Sequence, residues 1–254
     1  MPRSPPSAAA RPVDAPIAGH SGIQPIDADA KVATLASTAY GRLRREIIAV
    51  EIPPGSRLHT RQLCARYDMG LSPIREALSR LSSEGLVRQS DQRGFMVTPL
   101  TEADLDALTR TRCWLNETGL RESIAHGDSA WEEAVIVSFH RLSKVPRFIG
   151  DDAARNPAWD AAHLLFHATL VSACRSPWLV GFCQQLFDAF ERYRNLSAFT
   201  AAARPGHVDE HRAIMEAAVA RDADAACTLL RQHFELSVTL VRQHLAVQSW
   251  GATS

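Results

Sequence analysis

The sequence has 254 residues, 46% of them hydrophobic and 22% charged, with a formal net charge of zero; that is enough apolar material for one large or two modest packed domains. No apolar run approaches the roughly 18 residues a membrane helix needs, and the opening MPRSPPSAAARPVDAP lacks a signal peptide's apolar stretch. Cys64, Cys113, Cys174, Cys183 and Cys227 stand singly with no CxxC pair, which excludes a disulfide framework and points to reduced thiols in the cytoplasm.

Residues 1–30 are rich in Pro, Ala and Ser without helical or strand period and read as a disordered tail. Residues 31–100 form a first domain. Ala39, Leu43, Ile47 and Val50 recur at helical spacing between Ser37 and Val50, and IPPGSRL breaks the pattern. Thr60 is a good cap for a short helix through Leu63 to Tyr67. Ser72-Pro73 joins a hydroxyl cap to a proline at the first helical position, where its missing N–H costs nothing. The helix that follows buries Ile74, Ala77, Leu78 and Leu81, keeps Ser72, Arg75, Ser79 and Arg80 outside, and stops at Gly85. Two short β-prone runs, Leu86 to Gln89 and Phe95 to Val97, flank an Asp/Gly-containing turn and predict a hairpin. Three helices and a hairpin make a winged helix-turn-helix.

Residues 101–250 read as an all-helical second domain of about six helices. Thr101 and Asp104 suit a helix start, and helices are expected over residues 101–124, 129–141, 158–173, 177–196, 207–220 and 222–248, with a loop from Pro146 to Pro157. Ser176-Pro177 repeats the cap-then-proline signal. Charge separates the two domains: Ser37 to Leu100 holds ten arginines against six acids, whereas Thr101 to Ser254 holds 15 basic and 19 acidic residues. That asymmetry fits a DNA-reading module joined to one that meets something else. The fold class is therefore mostly α, a winged helix-turn-helix followed by a helical bundle.

The block QLCARYDMGLSPIREALSRLSSEGLVRQSDQRGFMV resembles the DNA-binding domain of GntR-family regulators, whose signature P-[VIL]-R-E-A-L-x-x-L-x-x-x-G-L-[VI] is met at Pro73, Ile74, Arg75, Glu76, Ala77, Leu78, Leu81, Gly85, Leu86 and Val87. The helical remainder is similar to the FCD ligand-binding domain of the FadR-like subfamily, and the run RCWLNETGLRESIAHGD…WEEAVIVSFHRLS resembles its glutarate-responsive members of the CsiR type. The resemblance spans roughly Ser37 to Leu245.

Arginine is the commonest guanine reader because its fork matches O6 and N7 in the major groove. Arg75 and Arg61, each in the first turn of a helix, are the candidate base or phosphate contacts, with Ser72 beside Arg75. Arg44, Arg45 and Arg80 are candidate phosphate contacts, which position without specifying sequence. Arg93 and Gly94 at the hairpin tip would enter the minor groove. Where the family usually has Ser or Thr and then Arg, this chain has Gly70 and Leu71, which implies a different operator.

His163 and His167 are four apart and share a helix face; His211 and His233 fall on the last two predicted helices. An isolated HxxxH pair is more often a pair of ordinary surface or core histidines than a pair of ligands. The FCD resemblance adds the spacing: Phe166-His167, Glu210-His211-Arg212-Ala213-Ile214 and His233 match its metal motif, with His163 where the family usually has Asp. A four-nitrogen set suits a divalent metal such as Zn²⁺ or Ni²⁺ more than Mn²⁺ or Mg²⁺. His207, four before His211, is expected to be exposed.

Arg112, which matches a family arginine, with Tyr193 and Arg194, would meet the other end of an organic-acid effector; ordinary ion pairs with Glu117 or Glu191 are the competing reading of those arginines. The expected function is a non-enzymatic regulator, a repressor, acting as a homodimer on a near-palindromic double-stranded operator and controlled by a small carboxylic acid, glutarate among the candidates. A metal-dependent hydrolase and a DNA binder with a purely structural metal are the alternatives. The absence of HExxH and of a general base beside the histidine pair speaks against the hydrolase.

Overall fold

The structure, a computed structural model, describes residues 34–90, 94–150, 154–197 and 206–247. The tail expected over residues 1–30 and Arg93 of the expected wing tip lie outside the described residues.

In the amino-terminal domain, α1 (Leu35–Ile48) begins at Thr34, whose hydroxyl oxygen accepts the Ser37 N–H at 3.1 Å. Its Ala39, Leu43 and Ile47 are one helical turn apart and are fully buried. They pack on Ile74, Ala77, Leu78 and Leu81 of α3 (Leu71–Ser83), in a core that also takes Leu63 and Tyr67 from α2 (Thr60–Tyr67). Burying Leu43 and Ile47 against Ile74, Leu78 and Leu81 gains roughly 1.5–3 kcal/mol per side chain, which fixes α1 against α3. A three-stranded antiparallel sheet closes the domain in the order β1 (Arg57–Leu58), β3 (Gly94–Val97), β2 (Val87–Ser90), with Val87 opposite Val97 and Ser90 opposite Gly94. Gly94 has φ +82°, the left-handed region that a side chain resists.

Two start signals act differently from expectation. Thr60 is the first helical residue rather than the cap, which is His59 without a side-chain bond. Likewise α3 starts two residues early, at Leu71, because Asp68 at φ 52° ends α2 and leaves Gly70 extended as the cap. Pro73 then sits inside the first turn, where amides still have no intrahelical acceptor. The strand β1 was hidden in IPPGSRL, where Pro and Gly signalled only a break.

The second domain holds α4 (Glu102–His126), α5 (Ser129–Lys144), α6 (Pro157–Leu170), α7 (Pro177–Ser197), α8 (His207–Val219) and α9 (Ala223–Val247). The expected caps operate at Thr101, which accepts from Asp104 N–H at 3.1 Å, and at Ser176, which accepts from Leu179 N–H at 3.2 Å. One core joins Leu120, Trp131, Val135, Phe166, Leu170, Ile214, Leu230 and Phe234; a second joins Leu105, Phe190, Tyr193, Val238, Val241 and Leu245. The expected loop from Pro146 to Pro157 contains a small antiparallel ribbon, β4 (Phe148–Ile149) paired with β5 (Ala154–Arg155), too short to give a periodic signal. Among the described residues no helix is long and apolar enough to cross a membrane.

The domains meet along α7. Arg44 of α1 pairs with Asp188, Asn195 Nδ2 donates to the Ile48 carbonyl at 2.7 Å, and Arg192 donates to the Thr98 carbonyl between the domains.

Candidate metal centre and nucleic-acid interface

The helix spacing that puts His163 and His167 on one face of α6 turns both rings inward, where α8 brings His211 and α9 brings His233. All four are buried, 2 to 6% exposed, and one ligand nitrogen from each lies within 4.8 Å of the others. His163 Nε2 and His167 Nε2 are 3.1 Å apart. Two imidazoles bound to one ion at about 2.1 Å each bring their nitrogens to roughly 3.0–3.4 Å, so this pair is already at that spacing.

The surroundings set the tautomers. His211 Nδ1 lies 2.5 Å from the His207 carbonyl one turn back, and His233 Nδ1 lies 2.8 Å from Glu210 Oε2. Each Nδ1 is therefore the N–H donor, which makes Nε2 the lone-pair nitrogen; a carboxylate behind a histidine is the usual support of a metal ligand. His167 Nδ1 is buried without a hydrogen-bond partner among the described residues. Burial, then the neighbouring imidazoles and the Arg112 and Arg194 guanidinia, holds His163 and His167 well below the ordinary imidazole range, so the rings are neutral and competent as ligands. Four clustered imidazoles around one point fit a divalent cation. His163 is the exception in tautomer: Arg194 directs Nη1 at its Nδ1 from 3.4 Å, which favours the proton on Nε2.

A small chamber beside the histidines is lined by Arg112, Arg147, Trp159, Phe190, Arg194 and His207. Arg112 is clamped between the Phe234 and Phe190 rings, 4.0 and 4.4 Å from their centroids, and burial pushes its pKa down to about 10. Its Nε has no hydrogen-bond partner among the described residues. A dry guanidinium beside a cation site makes a strong subsite for an anion. Arg194 is paired with Glu191, as the competing reading anticipated, and it also faces the chamber. Glu117 pairs with Arg231 instead.

Tyr193 does not join them. Its hydroxyl donates to Asp104 Oδ2 at 2.7 Å and lies 3.0 Å from the Thr101 carbonyl, on a different face of α7 from Arg194, because residues one apart on a helix diverge by about 100°. The effector role expected for it is corrected to a structural tie. Sequence reasoning also missed three chamber residues. Trp159 stacks on His163 at 4.5 Å, Arg147 lies 4.9 Å from the Trp159 centroid, and His207 is half-buried against Trp159 rather than exposed. The spacing of His207 to His211 could have found the last; Arg147 comes from the ribbon segment and carried no signal.

On the other domain, Leu71, Ser72, Arg75, Ser79 and Arg80 are exposed along the outer face of α3, and Arg61 is exposed in the first turn of α2. Leu71 is 49% exposed in place of the family's cation. Arg80 lies 3.9 Å above the Tyr40 ring, and the Tyr40 hydroxyl donates to Glu84 at 2.6 Å. Arg44 departs from expectation: its guanidinium is committed to Asp188 and, at 3.6 Å, to Glu84, so it serves the domain junction instead of phosphate. Arg45 is exposed and borders the cleft between α1 and α6–α7.

Residues 35–97 match the family of bacterial regulatory proteins described as gntR, and residues 107–236 match the FCD domain. The chain is 40% identical over 216 residues to BphR, an uncharacterised HTH-type transcriptional regulator of Paraburkholderia xenovorans LB400, across 84% of this chain and 88% of that protein. It is 30% identical over 211 residues to the HTH-type transcriptional repressor GlaR of Escherichia coli K12, across 82% of this chain and 96% of that protein. In fold it is similar to E. coli McbR/YncC, with a TM-score of 0.67 at 19% identity over 83% of this chain and 98% of that one.

Proposed function

The chain belongs to the GntR family of DNA-binding transcription regulators, with an FCD domain behind its winged helix-turn-helix, and we propose that it is a repressor released from its operator by a small carboxylic acid bound at a metal in the histidine chamber. Its relatives are regulators, not enzymes, which removes the hydrolase reading. The observation that carries the proposal is the convergence of four buried imidazoles next to the desolvated Arg112. His163, His167, His211 and His233 would hold Zn²⁺ or Ni²⁺, which supplies a Lewis-acid anchor for one carboxylate. Arg112 and Arg194 then take the remaining negative charge; the effector is an organic acid, with C4 to C6 dicarboxylates such as glutarate the first to try.

On DNA, Arg75 and Ser72 read the major groove from the start of α3, with Arg61 beside them and Arg80 and Arg45 toward the backbone. Gly94 lets the wing approach the minor groove, with Arg93 next to it. A homodimer acting in the cytoplasm presents two such helices to a near-palindromic operator.

The test combines an operator recovered from random duplexes with calorimetry. Zinc should bind with one site per chain, and at least one acid of the C4 to C6 panel should bind the zinc-loaded protein and weaken its operator affinity. Acid binding without any change at the operator would reduce the site to a bystander. Zinc binding with no acid binding would leave the metal structural and overturn the proposal.

A further inference from the structure

The carboxyl-terminal half of α7 carries two sets of contacts. Phe187, Phe190 and Arg194 face the histidines: Phe187 lies 5.5 Å from His163, Phe190 lines the chamber, and Arg194 approaches His163 at 3.4 Å while its guanidinium lies 5.3 Å from the Trp159 centroid. Asp188 and Asn195, seven residues apart and so on one stripe of the helix, hold α1 through Arg44 and the Ile48 carbonyl. Glu191 lies between those two on the same stripe. It is 6% exposed, pairs with Arg194, and reaches Arg155 of β5 at 3.0 Å. Burial alone would raise the Glu191 pKa, but the Arg194 and Arg155 guanidinia outweigh it and keep the carboxylate charged.

We infer that the Glu191–Arg194 pair is the joint through which the state of the histidine chamber reaches the DNA-binding domain, with Asp188 and Asn195 as the grips on α1. An anion in the chamber competes with Glu191 for Arg194. That competition removes one of Glu191's two arginine partners and leaves the carboxylate to Arg155 alone, which is 28% exposed. A buried charge does not tolerate losing half its compensation in place, so this turn of α7 adjusts against the ribbon. The same turn grips α1, and α1 is packed by Ala39, Leu43 and Ile47 onto the recognition helix α3. The coupling is carried by two alternative pairings of Arg194, with Glu191 or with the chamber's occupant, and not by mere proximity along a path.

This inference rests on the proposed DNA-binding reading but needs no effector to test. Operator affinity is measured by fluorescence anisotropy, without added acid, on a duplex selected from a random library by the wild-type chain. Glu191→Gln imitates the broken pair and should weaken operator binding by about five-fold or more, the lower end of ordinary allosteric coupling. In an Asp188→Asn/Asn195→Ala background, where the grips on α1 are cut, the same substitution should change affinity by less than two-fold. Arg194→Lys, which keeps a charge for Glu191, should restore most of the wild-type affinity relative to Arg194→Met. Should Glu191→Gln fail to fold, Arg194→Met takes its place in the cycle. Equal losses in both backgrounds, or no loss in either, would overturn the inference. Failure of the wild-type chain to select any duplex would instead sink the DNA-binding reading. As a second readout, Glu191→Gln should alter hydrogen exchange of the last turn of α1 in the otherwise wild-type chain and not in the grip-cut background.

Discussion

His233 of α9 donates its Nδ1–H to Glu210 Oε2 of α8 across 2.8 Å, behind the histidine cluster rather than in it. The residue next to Glu210 is His211, whose own Nδ1 is held by a backbone carbonyl of the same helix. One short sequence, Glu210-His211, thus supplies one of the four clustered imidazoles and the carboxylate behind another on the partner helix. Replacing Glu210 with Ala should weaken zinc binding by about 10- to 100-fold, the usual cost of losing such a support. Glu210 is partly exposed, so the metal-free protein should melt within a few degrees of wild type. Competition with a chromophoric chelator measures the affinity, and an unchanged value would mean that the pair has no bearing on metal.

The pair on α6 was legible from spacing, since positions 163 and 167 share a face wherever the helix lies, whereas His211 and His233 joined it only through the FCD resemblance. Helix caps were read where a hydroxyl stood alone before an acidic or apolar run, as at Thr101 and Ser176, and misread at Ser72, where an extended Gly70 took the role. What the sequence could not give is which side of a helix meets which neighbour. Tyr193 and Arg194 are adjacent in the chain yet serve different faces of α7, and Arg44 looked like any exposed helix arginine until Asp188, 144 residues away, arrived to pair with it. Arg147 depends on a ribbon of two-residue strands, shorter than any periodicity can register.

Arg75 is the sharpest test of the DNA-reading face. It is exposed in the first turns of α3 while its neighbours Ile74 and Ala77 are buried, so removing its side chain leaves the core untouched. Arg75→Ala should reduce operator affinity by at least ten-fold, since one bidentate base contact is worth about 1–3 kcal/mol, and should leave circular dichroism and zinc binding as in the wild type. Arg80→Ala, at a backbone-facing position, should weaken all duplexes about equally and lower the salt dependence. A gel shift showing the same affinity for wild type and Arg75→Ala would remove this residue from the interface.

Tyr193 separates stability from sensing. Its side chain is fully buried and ties α7 to the start of α4 through Thr101 and Asp104. Tyr193→Phe leaves those acceptors with one donor fewer and should cost about 1–3 kcal/mol in urea unfolding. Acid affinity of the zinc-loaded protein should stay within two-fold of wild type. A large loss of acid affinity without a loss of stability would return Tyr193 to the effector site.

Arg112 should show the opposite balance. Its guanidinium is desolvated between two phenylalanines, with Nε lacking a partner among the described residues, and burial is the main cause of its lowered pKa. An uncompensated buried charge works against folding, and an apolar side chain of similar length often matches or exceeds its stability. Arg112→Met should therefore unfold within about 1 kcal/mol of wild type, or above it, when no acid is present. The two aromatic contacts it forfeits, roughly 0.5–2 kcal/mol each, are offset by relief of the buried charge and by the contacts methionine keeps with the same rings. Binding of dicarboxylates to the zinc-loaded protein should fall by ten-fold or more, and the stabilisation that wild type gains on adding acid should vanish with it. Calorimetric titration and thermal melts with and without acid read both quantities on one sample. A variant that is strongly destabilised yet still gains stability from acid would show that Arg112 holds the bundle together and does not receive the ligand.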